Sequence, residues 1–132
     1  MVDDFSSDDT LKIAKECRIE HIVKHNKNLG YGANQKTCYD KALELNADIV
    51  IMLHPDYQYD PRLITSLIRK IEQGADIVLA SRMMKGFEAV RNGMPLYKYY
   101  CNRILTKFQN FCFQKHLSEY HTGYRAYRKN VL

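Results

Sequence analysis

No apolar run in this 132-residue chain is long enough to cross a bilayer, so a membrane-spanning helix is not expected within it. The first residues carry Asp3, Asp4 and serines where a secretory signal would be basic and then apolar, so no such signal is expected and the reading is cytoplasmic. Four cysteines are present, Cys17, Cys38, Cys101 and Cys112, but no CxxC pair. That spacing argues against a zinc site or a disulfide framework, and predicts reduced, mostly buried thiols. Neither GxxxxGK[ST] nor GxGxxG occurs, which removes the best-known phosphate-loop and dinucleotide-binding signatures. Internal repeats, linkers and low-complexity tracts are also absent, so residues 1–132 read as a single domain.

Forty-five per cent hydrophobic residues without a spanning segment indicate a globular chain with a core. The net charge of +5 is unevenly placed. Acids crowd the first half, whereas Lys98, Arg103, Lys107, Lys115, Arg125, Arg128 and Lys129 load the last third. Such a basic region favours an anionic partner: phosphate on a small molecule or an anionic membrane face. Nucleic acid is the weakest candidate, since the charges form no dense stripe and no nucleic-acid module is recognisable.

Periodicity predicts alternating helices and strands. Asp8 or Asp9 caps a helix over Thr10–Cys17 with Leu11, Ile13, Ala14 and Cys17 on its apolar face, followed by a strand over Ile19–Val23. A turn-rich loop, Asn26 to Asn34, opens into a helix reaching about Leu45. A strand over Asp48–Leu53, a helix over Pro61–Gln73 stopped by Gly74, and a strand over Asp76–Ala80 complete the pattern. This alternation implies an α/β protein with a mainly parallel sheet flanked by helices. Met83 to Pro95 then reads as a long irregular loop and a candidate mobile segment, and Leu96 to about His116 as an aromatic-rich helix, with core packing favoured over an interfacial role.

Polar, metal-capable side chains gather directly at the end of the apolar strand over Asp48–Leu53, in Leu53-His54-Pro55-Asp56-Tyr57-Gln58-Tyr59-Asp60-Pro61. The carboxyl ends of strands are where open α/β sheets bind ligands. His54, Asp56 and Gln58, at alternate positions, form a candidate set for a divalent cation against phosphate. Asp60 before Pro61 is explained by helix capping alone.

Several segments in order resemble family 2 glycosyltransferases of the GT-A fold, nearest to the polyprenyl-phosphate sugar transferases of the dolichyl-phosphate mannose synthase type. Val2-Asp3-Asp4-Phe5-Ser6-Ser7-Asp8-Asp9-Thr10 resembles VDDxSxDxT, and Asn28-Leu29-Gly30-Tyr31-Gly32-Ala33 resembles NxGxGxA. Ala75-Asp76-Ile77-Val78 with Ser81-Arg82 resembles ADIVxGSR, and Thr122-Gly123-Tyr124-Arg125-Ala126-Tyr127 resembles TGFRAY. Asp56 and Gln58 fall on the second Asp and the Gln of DxDxQ. The resemblance implies a Rossmann-like nucleotide-diphospho-sugar transferase fold and inverting transfer of a sugar, from a donor such as GDP-mannose or a UDP-hexose, to a lipid-phosphate or glycan acceptor.

By resemblance, Asp3, Asp4, Asn28, Gly30 and Arg82 serve the donor nucleotide. His54, Asp56 and Gln58 hold Mn²⁺ or Mg²⁺, and Arg82, Lys98, Asn102 and Arg125 serve acceptor phosphate. Asp56, Glu119 and Arg125 are the catalytic candidates, Glu119 as a base if the acceptor is a hydroxyl. A lipid phosphate is already anionic and needs positioning more than a base. Three departures qualify the match. His54 replaces the first Asp of DxD, which favours Mn²⁺ over Mg²⁺; Lys98 and Asn102 stand where Arg and Ser are common; and the strand ending in PxYNE does not precede the first motif. The last implies an N-terminally truncated domain, exposed sheet edges and a tendency to self-associate. It also leaves a rival reading, a non-catalytic module that binds nucleotide-sugar or a partner chain.

Overall fold

The computed structural model describes residues 1–54 and 59–132. These form two compact units, Met1–Asp48 and Ile49–Leu132.

The first unit contains β1 (Val2–Asp3), α1 (Thr10–Glu16), β2 (Val23–Lys24) and α2 (Tyr31–Glu44). β1 and β2 pair in parallel, Val2 opposite Val23 and Asp3 opposite Lys24. Asp8 supplies the start of α1, its Oδ1 accepting from the Thr10 backbone N–H at 3.1 Å, whereas Asp9 makes no side-chain cap bond. Only part of the expected apolar face is covered: Ala14 is buried, but Ile13 and Cys17 are exposed, because α1 is two turns long and packs along one narrow edge. The strand expected at Ile19–Val23 is displaced to Val23–Lys24, since Arg18 takes a left-handed conformation (φ 56°) that ends the helix and delays the extended backbone. Gly30 (φ 84°) turns the chain into α2 in a conformation that side chains disfavour.

The second unit contains β3 (Ile49–Met52), a 3₁₀ turn at Pro61–Leu63, α3 (Ile64–Glu72), β4 (Ile77–Leu79), α4 (Glu88–Arg91), α5 (Leu96–Phe113), β5 (Arg125–Arg128) and a closing 3₁₀ turn at Lys129–Val131. Asp60 caps the first turn as expected, accepting from the Arg62 N–H at 2.9 Å. Strand order is β3-β5-β4, with β5 antiparallel to both neighbours and Ala126 facing Ile51 on one side and Val78 on the other. The α/β character is therefore as expected, but the mainly parallel sheet is not: among the described residues, parallel pairing is confined to β1 and β2. The unexpected member is β5. Arg-Ala-Tyr-Arg has little strand character by itself, and the backbones of β3 and β4 on either side extend it.

Leu67 and Ile71 of α3 pack on Tyr124 and Ala126, with Ile49, Ile51, Ile64 and Val78 around them. This is the core that i, i+4 spacing of apolar residues in α3 predicts. Residues 83–95, expected to be irregular, contain α4, and Met83 and Ala89 pack with Tyr99 in a second small cluster. α5 departs further from expectation. Tyr99 and Thr106 are its buried residues, while Ile104, Phe108 and Phe111 are exposed, Phe111 to 82%. The expected burial of the cysteines fails as well. Cys101 and Cys112 lie on exposed parts of α5, Cys17 is exposed, and Cys38 is half-buried; all four are free thiols. No described helix is long and apolar enough to cross a membrane.

Candidate functional site

In the first unit three of the expected donor residues meet directly. Asp4, just past β1, accepts hydrogen bonds from the backbone N–H groups of Leu29 (2.9 Å) and Gly30 (2.8 Å), and the Gly30 N–H is shared with Asn28 Oδ1 at 3.0 Å. The same carboxylate lies 2.8 Å from His25 Nδ1, and His25 Nε2 is 2.9 Å from the Thr37 hydroxyl on α2. Thr37 in turn donates to the Ala33 carbonyl at 3.1 Å. Asp4 therefore ties the glycine loop to the end of β1 and, through His25, to α2. These bonds hold its carboxyl below the ordinary carboxylate range, the His25 bond contributing most and the Leu29 N–H next. Asp3 is buried, and its carboxylate accepts from the Ser6 N–H at 3.2 Å. His25 and Thr37 were not singled out in the sequence; they are 21 and 12 residues from the partners they meet, and no local pattern marks them.

In the second unit the end of β4 faces α5 across a buried carboxylate. Glu119, 1% exposed, accepts from the Arg82 backbone N–H (2.9 Å), from Arg82 Nη2 (2.8 Å) and from Asn102 Nδ2 (3.0 Å). Arg82 also donates to the His121 carbonyl at 3.3 Å, and its guanidinium lies 5.7 Å from the centre of the Tyr59 ring. A cleft of about 1090 Å³ opens beside it, taking Arg82 and Lys98 from the expected acceptor set and adding Lys85, Arg62 and Tyr59. Asn102 and Arg125 are not among the described residues lining that cleft. Asn102 reaches Glu119 and accepts from Thr106, while Arg125 Nε donates to the Thr122 carbonyl at 2.6 Å.

The turn before β5 is held tightly. Thr122, buried, donates its hydroxyl to the Ala80 carbonyl at 2.6 Å, and the Gly123 N–H donates to the Tyr59 hydroxyl at 2.9 Å. A Cβ on Gly123 would stand 2.7 Å from the His54 ring, so glycine is needed for the imidazole to occupy its place. Tyr124 fills the core behind, and burial raises its phenol above the ordinary range, with Asp60 adding to the effect. Tyr59, absent from the sequence-derived set, thus touches both the turn and the Arg82 guanidinium.

Of the expected metal ligands, His54 is described and Asp56 and Gln58 lie outside the described residues. Among the described residues no three His, Cys, Asp or Glu side chains form a metal-holding group. The donor chemistry of the three, an imidazole nitrogen, a carboxylate and an amide oxygen, fits Mn²⁺ better than Mg²⁺.

A cleft edged by arginine and lysine suits an anionic oxygen ligand such as phosphate, and relatives of this chain carry that chemistry in their names. Over 137 residues it is 26% identical to the polyprenol monophosphomannose synthase of Mycolicibacterium smegmatis, covering all of this chain and 51% of that protein. Over 148 residues it is 29% identical to the UDP-N-acetylglucosamine–dolichyl-phosphate N-acetylglucosaminyltransferase of Methanococcus voltae, covering all of this chain and 59% of that protein. A dolichol-phosphate mannosyltransferase of Pyrococcus furiosus is 29% identical over 98 residues, 74% of this chain and 27% of that protein. The chain thus spans little more than half the length of the first two relatives. The glycosyl transferase family 2 pattern matches residues 1–132, and the chain belongs to that family.

Proposed function

We propose that this chain is the GT-A-type catalytic part, a single domain over residues 1–132, of a glycosyltransferase that moves a sugar from a nucleotide-sugar donor, GDP-mannose or a UDP-hexose, to a polyprenyl-phosphate acceptor. The observation that carries this reading is the convergence of Arg82 and Lys98 on one cleft, in a chain of glycosyl transferase family 2. Arg82 and Lys98 neutralise the acceptor phosphate and hold one of its oxygens for in-line attack on the anomeric carbon. The new bond joins that oxygen to the carbon as the carbon's bond to the donor diphosphate breaks, which inverts the centre. An acceptor oxygen that is already anionic has no proton to lose, so the step runs without a general base. The loop shaped by Asp4, Asn28 and Gly30 serves the nucleoside end of the donor, with Asp3 alongside. His54, Asp56 and Gln58 would hold a divalent cation, which when bound supplies positive charge to the departing diphosphate.

Peripheral membrane contact belongs to the same proposal. α5 presents Ile104, Phe108 and Phe111 to solvent beside Arg103 and Lys107 and has no acidic residue, a composition that suits an anionic interface. Thermal melting of the chain with UDP, GDP, UDP-glucose or GDP-mannose, each with Mn²⁺ or chelator, tests the donor half. At a hundredfold excess over Kd a true ligand adds about 2.7 kcal/mol. The reading expects a metal-dependent rise in Tm with one nucleotide that disappears in Asp56→Ala. A cooperative melt that no nucleotide moves would overturn it.

A further inference from the structure

We infer that Glu119 is a positioning residue, which fixes the phosphate-binding edge of the cleft through Arg82 and Asn102 and does not itself receive a proton from the acceptor. The inference rests on the reading of the cleft as a phosphate site. Glu119 is 1% exposed and does not line the cleft among the described residues. One oxygen accepts from the Arg82 backbone, and the other accepts from both Arg82 Nη2 and Asn102 Nδ2. A hydroxyl acceptor in the cleft would have to displace these donors to reach the carboxylate.

The geometry gives Glu119 a different task. Arg82 lies just beyond β4, and Asn102 lies in α5 one turn after Lys98. Residues four apart on a helix share a face, so the carboxylate that grips Arg82 and Asn102 also sets the separation of the Arg82 and Lys98 cations. Thr106 continues the chain of contacts, donating its hydroxyl to Asn102 Oδ1 at 3.1 Å and so orienting the amide whose Nδ2 faces Glu119. The Arg82 guanidinium also lies 5.7 Å from the centre of the Tyr59 ring. One buried anion thus holds Arg82 by backbone and side chain together, and anchors the helix that carries Lys98.

A double-mutant cycle tests this on the whole chain, with geranyl phosphate as the probe, geraniol as its uncharged control, and UDP as the alternative source of phosphate. Glu119→Gln and Arg82→Gln are each expected to weaken geranyl phosphate about tenfold, the loss of roughly one charge-assisted hydrogen bond. The double variant should lose clearly less than the roughly hundredfold that additive losses would give, because much of the Glu119 effect runs through Arg82 and only the part carried by Asn102 and Lys98 remains. General loosening of the fold would instead make the two losses fully additive, and that result, or an unchanged Glu119→Gln affinity, overturns the inference. If Glu119→Gln does not fold, Asn102→Ala replaces it in the same cycle, and additive losses count against the inference. The same non-additive pattern with UDP upholds the positioning role and assigns the phosphate to the donor. If neither probe binds, the phosphate reading of the cleft fails, and nitrogen-detected NMR of Arg82 decides the positioning role separately. Slow guanidinium rotation that Glu119→Gln releases upholds it; fast rotation in the unaltered chain overturns it.

Discussion

The two units are held by different kinds of force. In Met1–Asp48 the described buried side chains are Ala14, Asp3 and His25, so one small apolar residue is accompanied by a hydrogen-bonded carboxylate and an imidazole. In Ile49–Leu132 a dense apolar cluster of Leu67, Ile71, Tyr124 and Ala126 supports the sheet, and the polar groups Glu119 and Thr122 are set at its edge. Apolar burial is non-directional and tolerant of solution conditions, whereas polar ties are geometrically exact but sensitive to protonation. The first unit's loop is therefore shaped by chemistry that pH can reach, and the second unit's sheet by packing that pH largely does not.

The largest break in that comparison comes from the apolar side. Ile71→Ala empties a site that is 1% exposed, and the expected cost is about 2–5 kcal/mol. Denaturant unfolding followed by amide exchange should show the loss in α3 and β5. Next, Gly123→Ala places a methyl group 2.7 Å from the His54 ring; the imidazole must move, at about 1–3 kcal/mol, with a shifted His54 NMR signal as the readout. A wild-type His54 signal in that variant would show that the turn yields instead.

Acid sharpens the contrast. The Asp4 carboxyl is lowered in the folded chain, so its contribution is complete above the ordinary carboxylate pKa of about 4 and is lost as pH falls through the lower folded value. Exchange of the Leu29 and Gly30 amides should accelerate on acidification relative to their intrinsic rates, and Asp4→Asn should show the faster exchange already at neutral pH. The smallest effect concerns thiols. Desolvation raises Cys38 above the ordinary thiol range, while Cys17, Cys101 and Cys112 are exposed; alkylation at mildly basic pH should label those three before Cys38.

Helices α1, α2, α3 and α5 and strands β3 and β4 were legible because they rest on local signals. Leu67 and Ile71 follow helical spacing, Asp60-Pro61 marks a helix entry, and Ile49 to Met52 form an apolar run. β5 was not legible, since Arg125 to Arg128 become a strand through two neighbours distant in sequence. His25, Thr37 and Tyr59 escaped for the same reason: each gains its meaning from a contact, to Asp4, to His25 and to Gly123 respectively. Arg82, Lys98, Asn102 and Glu119 were all singled out by resemblance, yet which two face the cleft and which two stand behind them depends on the packing of α5. The expected cysteine burial failed because composition records how apolar a helix is, and not whether anything lies against it.

The central position of β5 has a consequence for how the chain is made. Among the described strands it is the last in chain order, yet it fills the slot between β3 and β4. A ribosome adding about 5–20 residues per second delivers both outer strands and α3 some seconds before the strand that joins them. Until then, Leu67 and Ile71 lack Tyr124 and Ala126, and two strand edges face an empty lane that any extended peptide could enter. The nascent chain passes through a brief, sticky stage whose remedy is its own later sequence, and a chaperone that shields β3 and β4 during that interval would raise the yield of folded protein without altering its final structure.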